Sequence, residues 1–414
     1  MILPKSNYVK NIVTLLSGSM VAQIVTILAT PLLTRLYSPE QFGVLAIFLA
    51  VVLIIGSIIN ARYELAIMLP ESESEARHVV FLCLLIACII SVLIFILIIV
   101  IPRNWYEATP LIQLGNYLYF IPLVTMSIGF FNAFNYYSSR KENYALISYA
   151  NISKSLSTIS SQGAFSTVSF SNSGLIFGYC VGAIFSCFFF FKAGIKFELT
   201  SIDKLKSVAY KYRKFPQYSM WAILANSLSV NLLNLVIGSI YSLSTLGFYS
   251  LLQRVLGMPI AILGTSIGQV FYKEIVKEKK LTGKGDVIFV KTAINLVIIS
   301  VLAFIPVYFF LPKLFGIVFG ENWIIAGEYA QILVPLFALR FVTSALTLTN
   351  SAFEKQNISF YWQIILLLLS MTLVFFSYTF NVEFINFLKV YNAVISFHYI
   401  VLLLILFLVS KGKL

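Results

Sequence analysis

The chain has 414 residues, of which 59% are hydrophobic and only 11% charged. A soluble domain carries roughly 25% charged residues, so this composition excludes an ordinary globular protein and defines an integral membrane one. The net charge of +13, from 29 Lys and Arg against 16 Asp and Glu, matches the positive-inside bias of a multispanning protein. The basic residues sit in short loops, which argues against nucleic acid as a partner.

Twelve apolar runs follow in order, at 11–34, 41–61, 78–101, 111–136, 144–168, 174–192, 217–240, 245–270, 287–311, 327–350, 358–380 and 385–409. Each is near the ~20 residues that a helix needs to cross a bilayer, and none shows the short alternation of a barrel strand. The expectation is an all-α integral membrane protein. The first span carries Ser19, Gln23, Thr26 and Thr30 and no cleavage motif, which reads as a retained helix and not a removed signal peptide.

Of the 29 basic residues, 22 fall on one side of this alternation, 4 on the other and 3 inside spans. That asymmetry predicts cytoplasmic termini. The longest polar connection, 193–216, contains KFELTSIDKLKSVAYKYRKFP. It reads as a cytoplasmic linker with an amphipathic helix at the membrane surface. It divides the chain into a lobe of six helices at 1–192 and another at 217–414.

The halves resemble each other. Tyr37-Ser38 follows the first span and Tyr241-Ser242 the seventh, 204 positions apart. Pro102-Arg103 ends the third and Pro312-Lys313 the ninth, 210 apart. Lys141-Glu142-Asn143 precedes the fifth and Lys355-Gln356-Asn357 the eleventh, 214 apart. Parallel repeats of this kind predict two pseudo-symmetric lobes around a central cavity.

Inside the spans three cations stand out: Lys154, Arg254 and Arg340. Each lies some 9–13 residues from its span's start, about 14–20 Å deep at 1.5 Å per residue. A cation there costs on the order of 3 kcal/mol. The one carboxylate in these three spans is Glu328, at the very start of Arg340's span and twelve residues from it. Snorkelling or bonds to backbone carbonyls would explain such residues structurally. A cationic cavity that receives an anionic head group would explain them functionally. Arg254 also lies on a stripe of small residues, Gly247, Ser250, Gly257, Ala261, Gly264 and Gly268, which suits close helix packing. Asn151 accompanies Lys154; Thr343 and Thr347 share a face with Arg340; Asn231 and Asn234 line the seventh span. These are candidate sugar contacts. Arg35 and Arg62 could guide a phosphate at the two mouths. Arg62-Tyr63-Glu64 and the acids Glu71, Glu73 and Glu75 read chiefly as a solvated loop. The cysteines (Cys83, Cys88, Cys180, Cys187) give no metal spacing. His78 and His398 read as surface and packed residues, and no catalytic constellation appears. No cofactor is expected. Pro122, Pro259, Pro306 and Pro335 lie inside spans as bends.

Five stretches carry a resemblance: LTRLYSPEQFG (Leu33–Gly43), RYELAIMLPES (Arg62–Ser72), YRKFPQYS (Tyr212–Ser219), QRVLGMPIAILGTSIGQVFY (Gln253–Tyr272) and FGENWIIAGEYAQILVPLFALRFVTSAL (Phe319–Leu346). Together they are similar to the Wzx-type polysaccharide flippases of the multidrug/oligosaccharidyl-lipid/polysaccharide exporter superfamily. The resemblance implies twelve helices in two lobes, and movement of undecaprenyl-diphosphate-linked oligosaccharide across a bacterial inner membrane. It also implies work beside a polysaccharide polymerase and a chain-length regulator, in O-antigen or related surface-glycan synthesis. Arg254 and Arg340 fall in motifs associated with the family; Lys154 does not. Two other classes stay open. A cation-coupled multidrug exporter should show a carboxylate within a span, and a membrane polymerase should show a large external loop.

Overall fold

The computed structural model describes residues 5–102, 104–107, 109–167, 173–192 and 201–413, with only the backbone of 5–17 and 191–192. Among the described residues there are helices and no strands. They run α1 (Lys5–Leu36), α2 (Pro39–Gly56), α3 (Glu73–Val100), α4 (Asn104–Glu107), α5 (Ile121–Arg140), α6 (Tyr144–Ser166), α7 (Gly174–Lys192), α8 (Ile202–Lys211), α9 (Met220–Ile240), α10 (Leu243–Leu252), α11 (Met258–Thr282), α12 (Asp286–Phe319), α13 (Ile324–Leu346), α14 (Leu348–Ala352), α15 (Gln356–Thr379) and α16 (Phe384–Ser410). Each of the twelve apolar runs falls on one of these helices, on α10 with α11, or, for 111–136, on α5 with the 3-10 segment Pro110–Phe120 that precedes it. Among the described residues ten helical segments are long and apolar enough to cross a membrane, with Gly174–Phe190 a shorter eleventh. The Ser-rich α6 is too polar to stand out on hydropathy.

The chain folds as two compact units, Met1–Ser239 and Ile240–Leu414. The helix α9, which the sequence repeat places at the head of the second half, thus groups with the first unit. Ser227 on α9 donates to the Leu53 carbonyl of α2 at 3.3 Å. The segment 193–200 of the linker lies outside the described residues.

The tightest packing in the first unit joins α6 to α7, and glycine makes it possible. Gly174, Gly178 and Gly182 recur every four residues along α7. A Cβ at Gly178 would stand 2.7 Å from the backbone nitrogen of Gln162, and one at Gly182 would stand 2.9 Å from the carbonyl oxygen of Lys154. This small-xxx-small seam lets two backbones approach where lipid gives no hydrophobic drive. Side chains could not replace it without pushing α6 away.

In the second unit α13 is the hub and packs against α10, α11, α12 and α16. The glycine stripe read from the sequence is its seat. A Cβ at Gly257 would stand 3.6 Å from the Phe337 ring, one at Gly268 would stand 3.5 Å from the Ala345 Cα, and one on Gly264 would overlap Ser344.

The repeats are visible in the caps. Ser38 starts α2 by accepting from the Gln41 N–H at 3.4 Å, and Ser242 starts α10 by accepting from the Thr245 N–H at 3.0 Å. These are the hydroxyls an N-terminus requires. The preceding tyrosines also match: Tyr37 donates to the Gln162 carbonyl of α6, and Tyr241 bonds Ser377 of α15. The third pair shifts register. Glu142 and Glu354 take left-handed backbone, at φ 55° and 60°. Each closes its turn the same way, with Asn143 N–H to Ser138 O at 2.9 Å and Lys355 N–H to Asn350 O at 2.7 Å. The equivalent residues are therefore 212 apart, two fewer than the Lys-Xaa-Asn match suggests.

Candidate functional site

Arg254 sits on a π-turn, Gln253–Gly257, between α10 and α11. Its cause is local. Pro259 has no N–H, so the carbonyl four residues earlier loses its helical partner and the turn widens. A second π-turn, Phe215–Ser219, opens α9 and contains Pro216. Pro122 and Pro259 thus stand in first helical turns, whereas Pro306 and Pro335 lie within α12 and α13.

Arg340 lies on the face of α13 that meets the glycine seam, since Phe337, Arg340 and Ser344 are three and four residues apart. Its guanidinium stands over the Phe337 ring at 5.3 Å. Its field reaches Tyr249 of α10 and Tyr391 and Tyr399 of α16. Gln253, beside Arg254, donates to the Tyr249 hydroxyl at 2.7 Å. The second unit therefore gathers both arginines on neighbouring helices, with rings and phenols around Arg340.

Lys154 belongs to the first unit. Its ammonium lies 5.4 Å from the Phe131 ring centre and 5.9 Å from that of Tyr179. Two aromatic faces stabilise a cation without neutralising it.

The smaller polar candidates divide. Asn151, Asn234 and Thr347 keep partial exposure. Thr347 donates to Ser344 O at 3.0 Å. Thr343 is 1% exposed and donates to Leu339 O at 2.9 Å, inside its own helix. Asn231 is buried and donates to Ser227 O at 2.9 Å. Arg35 is exposed in the last turn of α1. His398 is buried and stacks on Trp362 at 4.9 Å, the packed role the sequence suggested.

The RYE segment differs most from its solvated-loop reading. Glu64 is only 3% exposed. Ala61 and Arg62 both take left-handed backbone, at φ 49° and 65°, a strain that non-glycine residues accept only under constraint. Arg62 donates from Nη1 to Glu64 Oε1 at 3.1 Å and from Nε to Ser219 Oγ at 3.4 Å. The acids beyond it are also engaged. Glu73 meets Lys141 at 2.8 Å and accepts from Tyr137. Glu75 pairs with Lys211 and accepts from Tyr212 at 3.0 Å. Burial pushes the Tyr212 phenol up, helped by Glu75. Arg140 fixes the same connection by donating to the carbonyls of Ile67, Met68 and Pro70. The linker helix α8 is held here too. Leu205 and Val208 pack into the core around Tyr63, Val79 and Val80, and Tyr63 donates to Ala209 O at 3.0 Å. Its apolar face is thus covered by protein. Among the described residues no group of three or more His, Cys, Asp or Glu could hold a metal ion.

A sequence profile of polysaccharide biosynthesis proteins matches residues 32–328, and the chain belongs to that family. Its fold is that of the MurJ and MATE structures. It is similar to the lipid II flippase MurJ in an inward closed conformation, at 12% identity and TM-score 0.73, covering 94% of this chain and 86% of that one. It is also similar to an inward-facing multidrug resistance MATE transporter of the MOP superfamily, at 15% identity, TM-score 0.61, and coverage of 95% and 93%. A MOP superfamily transporter from Pyrococcus furiosus aligns at 14% identity, TM-score 0.56, and coverage of 96% and 94%. No curated protein sequence gives a significant match.

Proposed function

We propose that this multi-pass membrane protein moves undecaprenyl-diphosphate-linked oligosaccharide from the cytoplasmic to the periplasmic leaflet by alternating access. Membership of a polysaccharide biosynthesis family supports the pathway. The observation that carries the reading is Arg340. It is a cation midway along a spanning helix, and phenols and a ring surround it without cancelling its charge. Arg254 stands on an adjoining turn, and Lys154 between two rings is a cation of the first unit. A diphosphate is the ligand that such groups would recognise, with Arg bonding two oxygens at once. Asn151, Asn234 and Thr347, which retain exposure, are the better-placed sugar contacts. The protein acts as a carrier in the inner membrane, with both termini cytoplasmic and six helices to a lobe.

The experiment is deletion in the native host. Lipid-linked oligosaccharide should accumulate facing the cytoplasm, and the wild-type gene should clear it. A cation-coupled exporter on the same fold would instead drive organic-cation efflux under a proton or sodium gradient and leave the glycan lipid unchanged.

A further inference from the structure

The buried carboxyl of Glu64 has no role in the reading above. It lies in the 3-10 segment Tyr63–Met68, beyond the end of α2 and before α3. Oε1 accepts from Arg62, but Oε2 is buried without any hydrogen-bond partner. The side-chain oxygen of Asn60, a residue 2% exposed, is likewise buried without a donor. Both residues act on Cys83 of α3. Asn60 donates from Nδ2 to the carbonyls of Cys83 and Gly129, both at 3.1 Å, and the charge of Glu64 acts on the Cys83 thiol. An unsatisfied buried acceptor is costly, most of all on a carboxylate that would carry its charge there.

We propose that Glu64 is a proton-binding site: the closed arrangement carries a proton on Oε2, and the proton leaves when the connection around 57–70 opens to water. The bookkeeping is a carboxylate and a proton joining to a neutral carboxyl. The proton on Oε2 removes the buried charge from the unpartnered oxygen, while Oε1 keeps its bond from Arg62.

The surrounding charges allow it. On its own segment Glu64 faces Arg62 and Tyr63, whose hydroxyl is occupied by Ala209 O. From α3 it meets Cys83, and from α5 Tyr136, which feels both Glu64 and Arg62. Arg140 is spent on three backbone carbonyls and Glu73, and the π-turn at 215–219 offers only the Ser219 hydroxyl. Burial holds the Glu64 carboxyl above its ordinary range, against a backbone hydrogen bond and the pull of Arg62. A carboxyl raised in the closed state stabilises that state fully at low pH. The contribution is lost as pH rises through the raised value. Opening therefore grows with pH. The strained backbone at Ala61 and Arg62 marks the place where the connection would give.

The test uses purified full-length protein in nanodiscs and needs no glycan, so it stands or falls separately from flipping. Infrared difference spectra from about pH 4 to about pH 9, the span over which buried glutamates titrate, should show a protonated-carboxyl band in wild type that Glu64→Gln lacks. Hydrogen exchange of peptide 57–70, corrected for intrinsic rate, should rise with pH in wild type and stay low throughout in Glu64→Gln. Arg62→Gln should move the band's midpoint upward by about one unit or more, the usual effect of losing an adjacent opposite charge. It also serves as the deciding variant if Glu64→Gln does not fold. Superimposable spectra, identical exchange profiles, or an unmoved midpoint in Arg62→Gln overturn the proposal.

Discussion

Gly182→Ala adds one methyl group at the α6–α7 seam, and the surroundings fix what it does. The new Cβ would overlap the Thr158 hydroxyl and stand 2.9 Å from both Thr158 Cβ and the Lys154 carbonyl oxygen. A hydroxyl can rotate aside, but a helix carbonyl cannot, so α6 must move. Overpacking of this kind costs about 1–3 kcal/mol. Alanine's helix preference over glycine returns about 1 kcal/mol. The net effect is a loss of up to about 2 kcal/mol. Gly163→Ala is the matched control. It lies inside α6 with nothing within 4 Å of its added Cβ, so only the backbone gain of about 0.5–1 kcal/mol applies. Thermal unfolding of the two variants in nanodiscs should shift in opposite directions, with Gly182→Ala melting below wild type. If Gly182→Ala melts at or above wild type, or together with Gly163→Ala, the seam is not what holds these helices.

Gly264→Leu should destabilise the second unit by about 1–3 kcal/mol through overlap with Ser344, read as a lower unfolding temperature. Leu205→Asp places a charge in the core that holds α8; hydrogen exchange across 202–211 should rise several-fold while α6 and α7 stay protected.

Much of this molecule was legible because membranes restrict the options. Twelve apolar runs correspond to helices, and the Tyr-Ser pairs at 37–38 and 241–242 cap equivalent helices in the same way. The glycine stripe at Gly257, Gly264 and Gly268 packs as its spacing suggests. The matching stripe at Gly174, Gly178 and Gly182 carries the same signal at four-residue steps and was there to be read. Glu64 was not legible. A carboxylate just past a span's end looks solvated in one dimension; only α3 and α5, folding back over it, bury it. The face of α8 could be paired with lipid or with protein on its pattern alone, and its packing on α3 decides for protein. The register of the third repeat depends on which residue adopts left-handed backbone. Composition does not specify that when Glu, not Gly, fills the position.

Cations held within the bilayer to meet a diphosphate are the heart of the proposed mechanism. Their most direct test is leaflet translocation of undecaprenyl-diphosphate-linked oligosaccharide in proteoliposomes containing Arg254→Ala, Arg340→Ala or wild-type protein at equal insertion. Wild type should translocate, and each substitution should slow it at least tenfold, about 1.4 kcal/mol of lost interaction. Translocation at the wild-type rate by both variants would contradict that role for the arginines.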